Sequence, residues 1–389
     1  MSATLTSNQF ILEFDENQIA IRNTIRDFAE KQIKPHVLKW DEEQKFPLEI
    51  MKQLGELGFL GILVPEKYGG SGLGYIEYAI IVEEIAKVDP AIALSVAAHN
   101  GLCTNHILVY ANEELKEKYL PDLATGKKIG AWGLTEPSSG SDAAGMMTTA
   151  IKHEEHFILN GTKNFITHGA SAETAVVMAI TDKTKGKNGI SAFILEKGFS
   201  GFASGKKENK LGMRASETAQ LIFENCRVPL KNLIGNEGEG FKQAMKILEG
   251  GRISIAALSV GLAESCLDAA TKYAKERKQF GKTLSEFQAI QFKLANMATE
   301  LEAAKILTYK AAKMKDEGKD ISTSASMAKL YASEIAEKAA SQAVQIFGGY
   351  GYIKEYPVEK FYRDVKLLTI GEGTSEVQRI IIAKNLLKD

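Results

Sequence analysis

The sequence predicts a mainly helical protein interrupted by a central β domain, and three observations carry that prediction. Apolar residues recur at helical spacing from Asn17 to about Lys128. Short runs of β-branched and aromatic residues, separated by Gly, Asn and Lys, then occupy Ile129 to Pro229. Helical periodicity returns from Phe241 to the end. The expected domains are residues 1–128, 129–235 and 236–389. A chain of 389 residues with 44% hydrophobic content can bury a core large enough for two or three such domains.

In the first region Pro35, Pro47, Pro65, Pro90 and Pro121 each end or start a helical segment, because proline lacks the N–H that a helix interior needs. The glycine-rich stretch Tyr68 to Gly74 has neither the preceding strand nor the lysine of a phosphate-cradling loop, so it reads as a turn before the next helix. In the middle region Phe157–Leu159, Thr174–Val177, Ile190–Ile194 and Leu221–Phe223 read as strands, and Asn160-Gly161 as the tight turn of a hairpin. These strands suit a small barrel or sandwich. No long helical pattern alternates with them, which disfavours a parallel dinucleotide-binding sheet. The run Gly235 to Gly240 has the glycines of a dinucleotide loop, but Glu237 and Glu239 would repel a pyrophosphate, so it reads as a domain junction. In the last region Phe287, Ile290, Leu294, Met297, Leu301 and Ala304 share one stripe of a long helix ending near Gly318. Ala328, Tyr331, Ile335, Ala339 and Ile346 do the same for the next, and the short link from Asp316 to Ser322 makes the two antiparallel neighbours in a bundle.

Composition excludes several classes of function. A formal net charge of -1 and a pI near 6.6 supply no basic field for nucleic acid or an anionic membrane. Cys103, Cys226 and Cys266 are odd in number and far apart, which argues against a disulfide framework and a zinc knuckle and for a reducing compartment. Met1 to Phe10 lacks the charged and apolar regions of a signal peptide, and apolar stretches such as Ala91 to Ala98 are too short to span a bilayer. The expected location is cytoplasmic, or the mitochondrial matrix for a processed eukaryotic chain. His153 and His156 fall in a predicted strand hairpin, and neither an HExxH helix nor a GxSxG elbow occurs, so no metal site is expected.

Three segments carry residues suited to chemistry. Glu372 stands between Gly371 and Gly373, after an apolar run and before an amphipathic segment. Flanking glycines permit a backbone that projects one carboxylate into a cleft, where burial raises its pKa toward that of a general base. The other reading is a helix start, with Thr374 or Ser375 as cap and Glu372 and Glu376 favoured at the positive end of the dipole. Trp132 to Asp142 offers hydroxyls and backbone N–H groups to a cofactor edge, or is simply a turn. Glu276 to Lys282 holds an Arg and two lysines around Phe280 and Gly281, suited to a phosphate and a ring, or to a solvated loop.

Taken together and in this order, these segments resemble the acyl-CoA dehydrogenase family across essentially the whole chain. The likeness rests on Leu134 to Asp142, Lys163-Asn164-Phe165-Ile166-Thr167, Arg277 to Leu284 followed by Gln288-Ala289-Ile290, Gln345 to Tyr352, and Glu372 to Arg379. It implies a C-terminal four-helix bundle, bound FAD and a homotetramer built as a pair of dimers. By the same likeness Leu134, Thr135, Gly140 and Ser141 face the flavin, with Phe165, Ile166 and Thr167 beside its rings. Arg277, Phe280, Gln288, Gln345, Gly348 and Gly349 hold the pyrophosphate and adenine end, partly across a dimer interface, joined by Thr374 and Glu376. Ser141, Glu249, Arg252 and Gly373 map to acyl-CoA contacts, and Glu372 to the catalytic base.

The implied reaction is α,β-dehydrogenation. Glu372 takes the α-proton, the β-hydride goes to flavin N5, and the thioester carbonyl is polarised by the Glu372 N–H and a ribityl hydroxyl. Electrons then pass to electron-transfer flavoprotein. Some members carry the base at the position of Gly251, which is closed to that role here. Gly371 replaces an aromatic residue often found before the base, which points to short straight or branched acyl chains. Glu249 stands where Asp is usual and His168 where Asn is usual. Two rival readings are an acyl-CoA oxidase, from which the compact length departs, and a helical scaffold that has lost its chemistry, against which Glu372 and Arg277 argue.

Overall fold

The computed structural model describes residues 13–388, so the reading of Met1 to Phe10 lies outside the described residues. The first region forms α1 (Glu16–Phe28), α2 (Val37–Glu43), α3 (Leu48–Glu56), α4 (Tyr75–Val88), α5 (Pro90–Ala98), α6 (Asn105–Tyr110) and α7 (Glu113–Ala124). Local chemistry sets the helix ends. Asp15 caps α1 by accepting the Gln18 N–H at 2.8 Å, and Gln18 reciprocates through its side chain. Pro90 opens α5 just after Asp89, whose carboxylate accepts the Ala91 N–H. At the start of α4 the Tyr75 and Ile76 N–H groups donate to Asp316, at 2.6 and 3.1 Å, so a residue from the far end of the chain supplies the negative charge that a helix N-terminus favours.

The middle region forms β1 (Gly130–Gly133), β2 (Thr149–Lys152), β3 (His156–Thr167), β4 (Thr174–Ile180), β5 (Ile190–Glu196), β6 (Phe202–Lys207), β7 (Thr218–Pro229) and β8 (Leu233–Ile234). They make one largely antiparallel sheet in the order β6-β7-β3-β2-β4-β5-β8, with β1 parallel to β4 beside that path. Strand alternation divides the side chains between two cores. Ala175, Val177, Phe193 and Leu195 meet Phe157, Leu159, Leu221 and Phe223 inside the sheet. Val176, Met178, Ala192 and Ile194 turn the other way, onto Leu115, Tyr119 and Leu123 of α7. Asn160-Gly161 does not turn a hairpin. Both lie within the 12-residue β3, where the pairing with β7 shifts register between Leu159 and Gly161. The reason is a bulge: Gly161 takes φ +147°, and a Cβ there would lie 2.4 Å from the Thr148 hydroxyl, so glycine serves close approach of backbone rather than chain reversal. The chain reverses instead at His153 to Glu155, between β2 and β3.

The last region forms α8 (Gly240–Glu276), a two-strand hairpin of β9 (Lys278–Gln279) and β10 (Lys282–Thr283), α9 (Gln288–Asp316), α10 (Ser322–Phe347), α11 (Val358–Val365) and α12 (Ser375–Leu386). The long α8, α9 and α10 pack against one another and α12 lies along α10, as a bundle requires. The expected stripes face inward: Met297, Leu301 and Ala304 on α9 and Ala328, Ile335, Ala339 and Ile346 on α10 are buried. The two helical regions share one core. Ile25, Ile81, Ile85 and Ile92 from the first meet Leu258, Leu262, Ala304 and Ala336 from the last, and each aliphatic side chain of Leu or Ile size buried there contributes about 1.5–3 kcal/mol. Among the described residues α8 alone is long and apolar enough to cross a membrane, but 72% of its most apolar window is buried inside the protein.

A buried ionic knot fixes the segment that leads to Glu372. Lys360 of α11, fully buried, lies 2.9 Å from Asp89 and 2.6 Å from Asp364, and Asp364 also accepts the Met213 N–H from the β region. Removing Lys360 would leave two buried carboxylates without their cation, which costs about 3–5 kcal/mol.

Candidate active site

Glu372 follows α11 and a 3-10 turn over Lys366–Thr369, and precedes α12. Both readings of this segment hold parts of the outcome. Thr374 is the cap, accepting the Val377 N–H at 3.3 Å, with Glu376 in the first turn. Glu372 stands outside the helix with φ +54°, a left-handed conformation costing a non-glycine residue about 1–2 kcal/mol. That backbone turns the carboxyl inward. Its Oε2 is buried and has no hydrogen-bond partner. It lies against α8, where a Cβ built on Gly251 would sit 2.0 Å from it. The glycine therefore makes room for the carboxylate at the very place where a second base could have stood.

Burial raises the Glu372 pKa to about 7, and the positive charges of Lys329 and Arg252 pull against that rise. Arg252 is buried on α8, its guanidinium 3.5 Å from the Ser326 hydroxyl and its Nε unpartnered. Glu249, one turn earlier, takes both bonds of its carboxylate from Lys246 at 3.1 Å. The Glu372 N–H meets no acceptor among the described residues, which leaves a free donor beside a free carboxylate oxygen.

The loop after β1 is held rigidly from beneath. Asn164 donates its N–H to the Thr135 carbonyl at 2.8 Å. Fully buried Lys163 reaches Glu136 at 2.7 Å and the Leu134 carbonyl at 3.2 Å. Glu136 also accepts the Met147 and Thr148 N–H groups; ion pairing and these bonds hold its carboxyl below the usual range against the opposing effect of burial. Above this anchor Gly140 and Ser141 are exposed and Thr135 half-buried. Phe165 is 63% exposed with φ +58°, and Thr167 is half-buried. The Leu134 and Ile166 side chains are committed to the two cores of the β region, leaving their backbone alone for a ligand.

A second station lies where α8 and α10 end. Arg277, Gly348 and Gly349 line a cavity of about 530 Å³ with Tyr273, Phe347 and Tyr350, and the Arg277 guanidinium stands over the Tyr350 ring at 5.3 Å. No atom lies within 4 Å of where a Cβ would stand on Gly348 or Gly349. A guanidinium, open backbone and aromatic faces suit a phosphate and a heteroaromatic ring. Phe280, at 93% exposure, and the exposed Gln288 and Gln345 stand outside this lining. Sequence reasoning passed over Lys329, Gln378 and the Lys163–Glu136 pair. A lysine on the apolar stripe of α10, four residues after buried Ala325, was the available signal for the first.

A three-part helical, β and helical chain with an unpartnered buried carboxylate oxygen and a cavity lined by a guanidinium and open glycines defines a class, and comparison with known proteins names it. Family models for the N-terminal, middle and C-terminal domains of acyl-CoA dehydrogenase match residues 15–127, 131–226 and 238–387. The chain belongs to the acyl-CoA dehydrogenase family and is an FAD-dependent oxidoreductase. It is 47% identical to the short-chain specific acyl-CoA dehydrogenase of Clostridium acetobutylicum, over 95% of this chain and 98% of that one. It is 47% identical to the CarC subunit of the caffeyl-CoA reductase-Etf complex of Acetobacterium woodii, over 96% and 99%. The solved butyryl-CoA dehydrogenase of Megasphaera elsdenii superposes with a TM-score of 0.96 at 45% identity, covering 97% of this chain and all of that one.

Proposed function

We propose that this chain dehydrogenates the α,β bond of a short straight or branched acyl-CoA, with Glu372 as the base and electron-transfer flavoprotein as the electron acceptor. The observation that carries the reading is the unpartnered, buried Oε2 of Glu372 against Gly251. An α-proton of a thioester is far less acidic than a carboxylic acid, so its removal needs both a desolvated base and a donor on the carbonyl oxygen. Glu372 supplies both: Oε2 accepts the proton, and its free N–H donates to the carbonyl as negative charge develops there. FAD, when bound, supplies the acceptor for the β-hydride. Arg277, Gly348 and Gly349 would hold its adenylate end, and Thr135, Gly140, Ser141, Phe165 and Thr167 its ring system. Arg252, Glu249, Ser141 and Gly373 orient the thioester.

The short-chain relatives support a short substrate, and the absence of a side chain at Gly371, where a Cβ would already touch Leu367 at 3.5 Å, supports a branched one. The relative belonging to an Etf complex supports the acceptor. Exposed Phe280, Gln288 and Gln345 are the residues a second copy would close over in a tetramer made of dimers. The test is anaerobic bleaching of the flavin by a series of acyl-CoAs. Butyryl-, isobutyryl- or isovaleryl-CoA is expected to bleach the wild type and leave Glu372→Gln yellow. Preference for palmitoyl-CoA would reject the substrate range, and bleaching of the variant at the wild-type rate would reject the base.

A further inference from the structure

Two consecutive residues of the base loop adopt left-handed backbone, Glu372 at φ +54° and Gly373 at φ +94°. Such a turn persists only where its surroundings over-determine it. The constraints are on the carbonyl side. The Gly373 carbonyl accepts the Lys329 ammonium at 2.8 Å and the Gln378 amide at 2.9 Å, and the same amide reaches the Glu372 carbonyl at 3.4 Å. Lys329 and Gln378 are both fully buried. Gly373 O is the one hydrogen-bond acceptor of the Lys329 ammonium among the described residues, and no carboxylate pairs with it. A lysine that gives up its hydration for a single backbone carbonyl is an expensive arrangement for stability alone.

We propose that Lys329 is a positioning residue for the base: its ammonium clamps the Gly373 carbonyl, with Gln378 locking the turn that delivers Glu372 to Gly251, and its charge sets the pH at which the base ionises. This rests on the reading of Glu372 as the base. The clamp orients two peptide groups at once. Both carbonyls are engaged by α10 and α12, while the Glu372 N–H has no acceptor among the described residues. The charge acts through space on a carboxyl that makes no direct bond to it. The charged and titratable groups around the base are Lys329 and Glu334 on α10, Arg252 and Glu249 on α8, Tyr78 on α4 and Glu376 on α12. Burial lowers the Lys329 pKa to about 8, partly offset by Glu372, so the clamp is still cationic where the base becomes ionised.

The experiment compares wild type, Lys329→Met and Lys329→Arg as FAD-loaded proteins. Two readouts are taken across pH 5.5–9: the rate of flavin reduction by butyryl-CoA, and the carboxyl carbon resonance of Glu372 in labelled protein, assigned with Glu372→Gln. Loss of the charge is expected to raise the midpoint of both profiles by about one unit, the lower end of the effect of a neighbouring charge, and Lys329→Arg to restore it. Should the Met variant not fold, Lys329→Gln removes the same charge while keeping a donor, and the same rise is expected. A midpoint that stays put while the rate or the melting temperature falls would overturn the proposal and leave Lys329 a structural residue. If Glu372→Gln reduces at the wild-type rate, the base itself is misassigned, an outcome distinct from any result at Lys329.

Discussion

Gly251→Ala is the smallest change that tests the geometry of the base. The added Cβ would stand 2.0 Å from Glu372 Oε2, 3.0 Å from its carboxyl carbon and 3.3 Å from a Leu102 methyl. Ordinary van der Waals contact begins near 3.4 Å, so the carboxyl oxygen must retreat by about 1.4 Å, and a misplacement of about 1 Å at a reacting group costs on the order of 100-fold in rate. No hydrogen bond holds Oε2 in place, and the retreating atoms are the far end of a flexible side chain. Overpacking a core costs about 1–3 kcal/mol, and the low end is expected here. Stopped-flow reduction of the flavin by butyryl-CoA should therefore slow about 100-fold, with the melting temperature within about 4 °C of wild type. A folded variant that reduces within about threefold of the wild-type rate would refute the reasoning, because the carboxylate would then not be working at Gly251.

With a Glu372 pKa near 7, flavin reduction should rise as pH climbs through that value and stand about tenfold lower at pH 6 than at its plateau. The folded chain keeps this proton where the unfolded chain has released it, so the group costs stability as pH rises from the ordinary carboxylate range toward 7. Glu372→Gln should therefore melt with wild type at pH 5 and above it at pH 8; calorimetry at the two pH values checks both. Lys163→Met leaves buried Glu136 with its two N–H bonds but no cation, a loss of about 3–5 kcal/mol, seen as a melting temperature lower by about 10 °C. Arg277→Ala removes the guanidinium from the cavity at the end of α8 and should raise the dissociation constant of FAD about 10- to 100-fold, the worth of a charge-assisted hydrogen bond; flavin fluorescence titration measures it.

Periodicity made the three-part architecture legible, because stripes such as Met297, Leu301 and Ala304 are written at fixed spacing. It did not reveal that the first and last regions share a core, since nothing in a stripe names its partner. The hairpin reading of Asn160-Gly161 failed because the same dipeptide serves any strained backbone, and the neighbour that decided the matter, Thr148, is 13 residues away in sequence. The flanking glycines singled out Glu372 but left a helix start as the other reading. Its setting was not legible: Gly251, Arg252, Lys329 and Tyr78 come from α8, α10 and α4, and only folding brings them to it.

Two buried carboxylates near a lysine show how this fold separates support from chemistry. Glu136 takes a direct bond from Lys163 and two backbone N–H bonds, so its charged form is fully satisfied and its pKa lies below the ordinary range. A proton arriving there would cancel the charge that Lys163 pairs with and compete with the bonds to the oxygen it occupied, which suits the group to holding its loop. Glu372 is close enough to Lys329 and Arg252 to feel their charge, but Oε2 bonds to neither. Burial alone would keep it protonated and useless at neutral pH; a direct ion pair would keep it ionised and weakly basic. If Glu372 is the base proposed above, giving the lysine to the Gly373 carbonyl instead of to the carboxylate leaves it between those limits, near neutral pH.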